Sequence, residues 1–456
     1  MVSADNLNLD CLELIFAYLY GNDLVSVSLV SRSFLAGIIP RLYRNLVFKL
    51  NQAKRYPVIL SPFASVLRHP NLATHVRHID IRTVPSSRSV MHPEFMRDCA
   101  RAIHICDNLV SFTCTPSVLP SFLLDLQAKD SLQHMRVNAN LTYEQAEHLA
   151  KVTGLKGITL DTGSPYVVDI LPRWMAALKT TLTNLTLYSV HELNDYILES
   201  VLTDLPHLTG LHVINCSKID HNTVLRLTSH TPDLRSLSFT SWDSPRSMAA
   251  SSIINGITSP LRRLRHLTVD SHCSLSPTTT PGLWTSLIQQ TRIWSCGLRS
   301  ITLKLTDKLL VEDGFIDELL NTHETTLTHI ALLNCSLSLD SVRKICRRCS
   351  DLERFAVSIP VRDIYSFSEA LSRSTSLHTL SDVSDAHSSH GARTTVSKPD
   401  IRTIMEIVPN LRRVITDERV WTADKARNGG GLRLELKRKT SPPTHWFMPP
   451  SKSHQC

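Results

Sequence analysis

The chain is 456 residues long, with 42% hydrophobic and 20% charged residues and a formal net charge of +8. That length exceeds a single compact core, so the chain is multidomain or a repeat array, and its composition is that of a folded protein. The charge is uneven: residues 425–456 hold seven Lys or Arg and one Glu, hence +6 of the +8, and the remainder carries no basic field suited to nucleic acid.

The first residues, MVSADNLNLD, contain no basic start followed by an apolar run, so no secretory signal is expected. No apolar stretch reaches the roughly 18 residues that a membrane-spanning helix needs. The eleven cysteines are scattered; without a secretory signal they are expected to be buried thiols, not disulfides, in a cytoplasmic or nuclear protein.

From Leu7 the chain reads LNLDCLELIFAYLYGNDLVSVSLVSRSFLAGIIPRLYRNLVF. Leu12, Ile15, Phe16 and Leu19 fall at i, i+3, i+4 and i+7, one apolar stripe of a helix. Gly21 is expected to end that helix, and Asn22 or Asp23 to cap the next. The next helix is apolar over too wide an arc: Leu24, Val25, Val27, Leu29 and Val30 cannot all face the interior of so small a unit. A segment of about 40 residues is also below the size that usually folds alone. Excess apolar surface on such a unit points to a permanent partner.

These residues resemble the F-box family. Leu7, Asp10, Leu12, Ile15, Phe16 and Leu19 occupy the family's first block, and Asp23-Leu24 the second. Val30, Arg32 and Phe34 occupy the third, and Leu42-Tyr43 the end. Asn8 stands where Pro is usual, which loses a rigid helix entry, and Asp10 replaces Glu. The resemblance implies an F-box over residues 1–45, docked on a Skp-type adaptor and through it on a cullin scaffold. Leu7, Leu12, Ile15, Phe16, Leu19, Leu24, Val27, Val30 and Phe34 would be the adaptor-binding residues. Read without the resemblance, the same helices could cap a repeat array.

Residues 46–75 read as an entry segment. Leu46, Phe48 and Leu50 alternate as in a strand, and SPFASVLRH is helix-like. Over residues 76–427 a Leu–x–x–Leu–x–Val/Leu pattern recurs, beginning at Val76, Leu109, Leu132, Leu155, Leu182, Leu208, Leu234, Leu264, Leu298, Leu327, Leu352, Leu377 and Leu411. The clearest unit, Leu208 to Leu234, puts Leu211 and Val213 on one face of a short strand. Asn215-Cys216 then turns the chain, and Ile219, Val224, Leu225 and Leu227 supply the apolar side of a returning helix. Such a unit cannot bury that side alone and needs a copy on each flank. It resembles the cysteine-containing leucine-rich repeat. The fold class expected is an α/β, ribonuclease-inhibitor-like horseshoe, with a curved parallel sheet inside and helices outside.

Polar, Ser-rich stretches at 83–93 and 381–400 read as mobile loops. From residue 428 the pattern stops, and a mostly disordered basic tail is expected, with Leu432, Leu434 and Leu436 available for a last strand. Residues 437–456 are expected to be dispensable for folding.

No sequence pattern assembles a catalytic set. There is no phosphate-cradling Gly-rich loop, GxSxG or HExxH, and Asp161, Glu192, Asp270 and Glu318 belong to different repeats. Cys346 and Cys349 make a lone CxxC on a predicted helix, which reads as repeat core, not as half of a zinc site. The expectation is therefore no enzyme, no cofactor and no metal. In the repeat pattern the leucines point inward, so the intervening residues face outward. Among these Tyr188, His212, Ile214 and His266, with Trp242 nearby, make an expected target-binding band. The function implied by the F-box resemblance is substrate recognition in a Skp–cullin–F-box ubiquitin ligase, the target being an unknown protein. The alternative is a repeat scaffold with no link to ubiquitin.

Overall fold

A computed structural model describes residues 8–19, 21–87, 90–242, 261–272, 281–383, 396–416, 419–424, 432–438 and 445–448. They form two compact units, one over Met1–Leu205 and one over Pro206–Pro450.

The first unit opens with three helices, α1 (Leu9–Phe16), α2 (Asn22–Ser28) and α3 (Arg32–Leu42). Asn8 caps α1, its side-chain oxygen accepting the Asp10 N–H at 3.4 Å. A hydrogen bond thus sets the helix entry that a proline ring would otherwise fix. Gly21, expected to end α1, instead leads into α2 at φ +57°. That left-handed backbone is open to glycine, and Asn22 becomes the first helical residue, not the cap. Ser31 caps α3 by accepting the Phe34 N–H at 3.2 Å. α3 passes close to α1 at Gly37, where a Cβ would stand 3.1 Å from Leu12 Cβ and 3.2 Å from the Phe16 ring.

Six strands follow in this unit: Asn45–Phe48, His78–Ile81, Ser111–Cys114, His134–Asn138, Gly157–Asp161 and Asn184–Tyr188, each parallel to the next. The second unit continues the plan with Gly210–Ile214, Ser236–Trp242, His266–His272, Ser300–Leu310, His329–Ser336, Arg354–Val357, Thr379–Asp382 and Arg413–Thr416. Parallel neighbours need a crossover, and helices such as Pro165–Ala177 in the first unit and Leu339–Arg348 in the second provide it, burying Val167, Val168 and Leu171 in the one and Val342 and Ile345 in the other. This is the leucine-rich-repeat architecture. All thirteen residues from Val76 to Leu411 that open the repeats are buried, and a strand begins two residues after each.

Two devices recur. At every parallel step within each unit, one carbonyl accepts two consecutive N–H groups from the next repeat. Arg77 and His78 donate to the Arg44 oxygen at 2.9 and 3.0 Å, and Arg265 and His266 to the Arg235 oxygen at 2.8 and 2.9 Å. The second device is a left-handed residue at the end of the strand, just past it at Thr162, Ser189 and Asn215 and within its last residues at Asn334, with φ of 53°, 55°, 56° and 57°. The expected Asn-Cys turn works this way. Asn334 also donates from Nδ2 to the Leu305 oxygen at 3.0 Å, and Cys335 Sγ to the Leu333 oxygen at 3.3 Å.

The sheet departs from the plain repeat at its last strands. Arg419–Asp424 pairs antiparallel with both Arg413–Thr416 and Arg433–Arg438, so Arg419–Asp424 is the reversed strand, and the strand expected near Leu432–Leu436 exists and runs in the same sense as Arg413–Thr416. The 83–93 stretch, expected as a plain loop, holds a small antiparallel ribbon of Ser86–Ser87 with Val90–Met91. Of the 381–400 stretch, residues 384–395 lie outside the described residues, and its end enters the helix Lys398–Ile407, capped by Ser397 and Asp400. The nine described cysteines are free thiols, and Cys346 and Cys349 are buried. Burial pushes both thiols up to about 12, which leaves them protonated packing residues at neutral pH.

The left-handed asparagine gives a direct test. Asn334→Ala should cost about 2 kcal/mol, part from the lost hydrogen bond and part because alanine tolerates the left-handed region less well than asparagine. Asn334→Gly loses only the first part and should cost about half as much. Urea unfolding of the two variants checks this, and equal losses would remove the backbone contribution.

Candidate functional site

The helical unit builds its core from Leu12, Phe16 and Ile38, with Leu19, Leu24, Val27, Phe34 and Leu42 packed around it. The Phe16 and Phe34 rings lie 5.2 Å apart, and Arg41 Nη2 donates to the Leu19 carbonyl at 3.2 Å. This corrects part of the expected docking set. Leu12 and Phe16 are 1% and 3% exposed, because three short helices consume the best apolar stripe as their own core. Leu19, Leu24, Val27 and Phe34 are half-buried against it. Leu7 lies outside the described residues. Ile15 and Val30 remain open, and beside them Leu9, Leu14, Tyr18, Val25, Leu29 and Leu35 are exposed, Tyr18 and Leu29 above 80%. Val25 and Leu29 belong to the arc too wide to be buried; sequence reasoning missed Leu9, Leu14, Tyr18 and Leu35 as surface residues. Leu14 and Tyr18, four apart and off the main stripe, were the available signal.

On the repeats, strand register sorts the outward residues into rows. In the second unit Ser236, His266, Ser300 and His329 form one row, and His212, Ser238, Thr268 and Thr302 the next. Thr240, Asp270 and Lys304 form a third. Solvated positions were expected here, yet Ser236, Ser238, Thr240, Thr268, Asp270, Ser300 and Thr302 are all buried. Their side chains are short, and a piece of the C-terminal tail lies against Ser238 and Thr268.

That piece is His445–Met448, a tight turn in which the Met448 N–H donates to the His445 carbonyl at 3.1 Å. Phe447 is 1% exposed. Its ring sits 6.0 Å from His212 and stacks on His445 at 4.7 Å. Its carbonyl accepts from Ser238 Oγ at 3.1 Å and Thr268 Oγ1 at 3.3 Å. Ser238 has one hydroxyl proton; given to Phe447, it leaves the oxygen to accept from His212 Nδ1 at 2.7 Å. Lys304 Nζ lies 4.8 Å from the centroid of the Trp446 ring and 3.3 Å from Asp270 Oδ1.

The expected target band is therefore rearranged. His212 and Ile214 are buried instead of open, His212 beneath Phe447. Trp242 is half-buried and stacks on His272 at 4.3 Å, and His266 is half-buried. Tyr188 belongs to the first unit, where outward residues pair among themselves. Arg136 Nε meets Asp161 Oδ2 at 2.9 Å, and the His134 ring lies over Gly157, where a Cβ would stand 2.7 Å from Nδ1. The tail, expected to be mostly disordered, holds a buried aromatic, Phe447, besides the last strand, Arg433–Arg438, for which Leu432, Leu434 and Leu436 were available.

Two histidines of these rows are held neutral, while Asp270 and Lys304 pair as charges in the third. Burial, aided by neighbouring His266 and His445, lowers His212 to about 3; burial with Arg354 nearby lowers His329 to about 4. Both are neutral at pH 7. Ser236 Oγ, His266 Nδ1 and His329 Nδ1 are buried and have no hydrogen-bond partner among the described residues. Among those residues no group of three or more His, Cys, Asp or Glu is placed to hold a metal ion, and no helix is long and apolar enough to cross a membrane.

No family model matches the chain, and no curated protein matches it. Among solved structures it is similar to the Rad7 and Elc1 complex in yeast, 14% identical, covering 90% of this chain and 92% of that one at a TM-score of 0.43. It is also similar to the leucine-rich repeat-containing protein LegL7 from Legionella pneumophila, 15% identical, covering 66% of this chain and 93% of that one at a TM-score of 0.35.

Neutral burial of histidines sets a pH dependence. His212, His329 and His323 have folded values of about 3, 4 and 4 against the ordinary 6.5. The unfolded chain therefore binds more protons between those limits, and stability falls as pH falls. Their contribution is complete above pH 6.5 and is lost toward pH 4 and 3, each histidine removing up to about 1.4 kcal/mol per pH unit. Melting temperature should fall steadily from pH 7.5 to 5, and His329→Gln should flatten the slope. An unchanged melting temperature across that range would contradict neutral burial.

Proposed function

We propose that this chain is a target receptor of a Skp–cullin–F-box ubiquitin ligase: the three-helix unit docks a Skp-type adaptor, and the repeats hold a target protein. The observation that carries the reading is the outer surface of the helical unit. Leu9, Leu14, Ile15, Tyr18, Val25, Leu29, Val30 and Leu35 are exposed on the helices and turns of a unit whose own buried core is Leu12, Phe16 and Ile38. Single exposed leucines are ordinary. Eight large apolar side chains within one short segment are a surface built to be covered. The F-box resemblance supplies the chemistry of the cover, an apolar groove that takes helix-borne anchors.

The mechanism is templating. The chain raises the effective concentration of a target lysine near enzymes carried elsewhere in the assembly. The buried repeats suit that role by fixing distance. Cytoplasm or nucleus is the compartment in which such an assembly works.

Leu29→Glu with Val30→Glu should weaken binding of a co-expressed Skp-type adaptor by at least about 30-fold, as loss of interface anchors does. The melting temperature should hardly change, since both side chains already face solvent. Phe16→Ala should lose binding and helical-unit stability together, by about 3–5 kcal/mol in stability. Titration of the adaptor onto each full-length variant separates the two. Undiminished binding by the glutamate pair would leave a repeat scaffold without the adaptor link.

A further inference from the structure

We infer that the outward face of strands Gly210–Ile214, Ser236–Trp242, His266–His272 and Ser300–Leu310 is a peptide-binding site for a turn-forming, aromatic-bearing segment. His445–Met448 is its tethered occupant. This rests on the reading that the repeats hold a target, and it names the class of target: a protein that presents a short tight turn with a buried aromatic side chain.

Four contacts of different kinds converge on the occupant. His212 lies against the Phe447 ring. Ser238 and Thr268, adjacent in register, both donate to one backbone oxygen of the segment. Lys304, one row on, lies over the flanking indole of Trp446. The two hydroxyls read main chain, and any aromatic residue at the third position of a turn can present its carbonyl to them. Only the ring and its flanking aromatic carry side-chain identity. Recognition of this kind transfers to a peptide from another protein.

The occupant's fit is incomplete. The row beside Phe447 holds Ser236 Oγ, His266 Nδ1 and His329 Nδ1, all buried and without a hydrogen-bond partner among the described residues. Leaving a buried polar atom unsatisfied is unfavourable, so the site has recognition capacity that the segment does not use. A foreign segment with a polar side chain reaching this row would pair with what Phe447 leaves unpaired. The tail holds the site through its tether, which supplies an effective concentration on the order of millimolar without requiring a perfect match. A better-matched free segment competes against that concentration.

The test uses full-length wild-type protein and full-length Phe447→Ala with a fluorescein-labelled peptide of sequence Pro-Thr-His-Trp-Phe-Met-Pro-Pro, read by anisotropy and without adaptor. The peptide should bind the variant at least about tenfold tighter than wild type, because the tethered competitor is gone. Replacing Phe by Ala in the peptide should abolish binding, and adding Ser238→Ala and Thr268→Val to the variant should weaken it severalfold. Equal affinity for the two proteins, or no binding to a folded Phe447→Ala chain at millimolar peptide, overturns the proposal. A protease site placed within residues 439–444 of the otherwise unchanged chain covers the case in which Phe447→Ala does not fold. After cleavage the labelled peptide should exchange in and release the cut segment. A cut segment that never exchanges makes His445–Met448 a structural plug and overturns the peptide site. Since no adaptor is present, either failure leaves the docking of the helical unit to be judged by its own titration.

Discussion

Each parallel step of this sheet depends on one backbone oxygen that takes two consecutive N–H groups from the following repeat. The Val110 oxygen takes Gln133 and His134, the Arg299 oxygen takes Thr328 and His329, and the His378 oxygen takes Arg412 and Arg413. A carbonyl has two lone pairs, so the contact spends both at the point where a strand begins. A slip by one residue would break both bonds and would turn every leucine to the wrong face. The regular depth of Leu208, Leu234 and Leu264, all fully buried, follows from that lock as much as from hydrophobicity.

Locked register also decides the character of the other face. Because His212, Ser238, Thr268 and Thr302 align as a row, their side chains reach one height. Three of the four are short hydroxyl residues. A bulky residue at Ser238 or Thr268 would hold the Phe447 carbonyl beyond the 3.1 and 3.3 Å at which it is now bound. Parallel strands are ordinarily buried on both faces. Here the second covering is supplied in part by four residues of the tail, and the buried polar atoms they leave unmet make that covering specific in place but loose in chemistry.

The repeats were legible because their signal is periodic: an apolar residue opens each unit, and the strand begins two residues on, as at Leu327 and His329. The turn was legible at Asn215 and Asn334, whose side chains tolerate a left-handed backbone. It was hidden at Thr162 and Ser189, which adopt the same φ without an asparagine to announce it. Leu12 and Phe16 were read on the correct stripe and given the wrong neighbour, since periodicity says that a stripe is buried and not by what. Phe447 was invisible. His-Trp-Phe-Met has no repeat, lies among prolines, and owes its burial to hydroxyls some 179 and 209 residues away. Contacts of that span leave no local pattern, and the reversal at Arg419–Asp424 escaped as well, since the alternation of a strand is identical in either direction.

The helical unit shows how a short segment can be both held and exposed. Its third helix carries Gly37, over which Leu12 and Phe16 pack, and also abuts the turn Pro70–His75 that introduces the first repeat strand. α3 therefore serves as core partner to α1 and as the joint to the repeats. That double use leaves the outer sides of α1, α2 and the turns that follow them, with Leu14, Tyr18, Val25 and Leu29, without an internal partner. A unit packed only on itself would have turned these residues inward at the expense of the α3 joint. Fixed at α3, it can present them outward, and whatever covers them is then carried at a set distance from the sheet of the same unit.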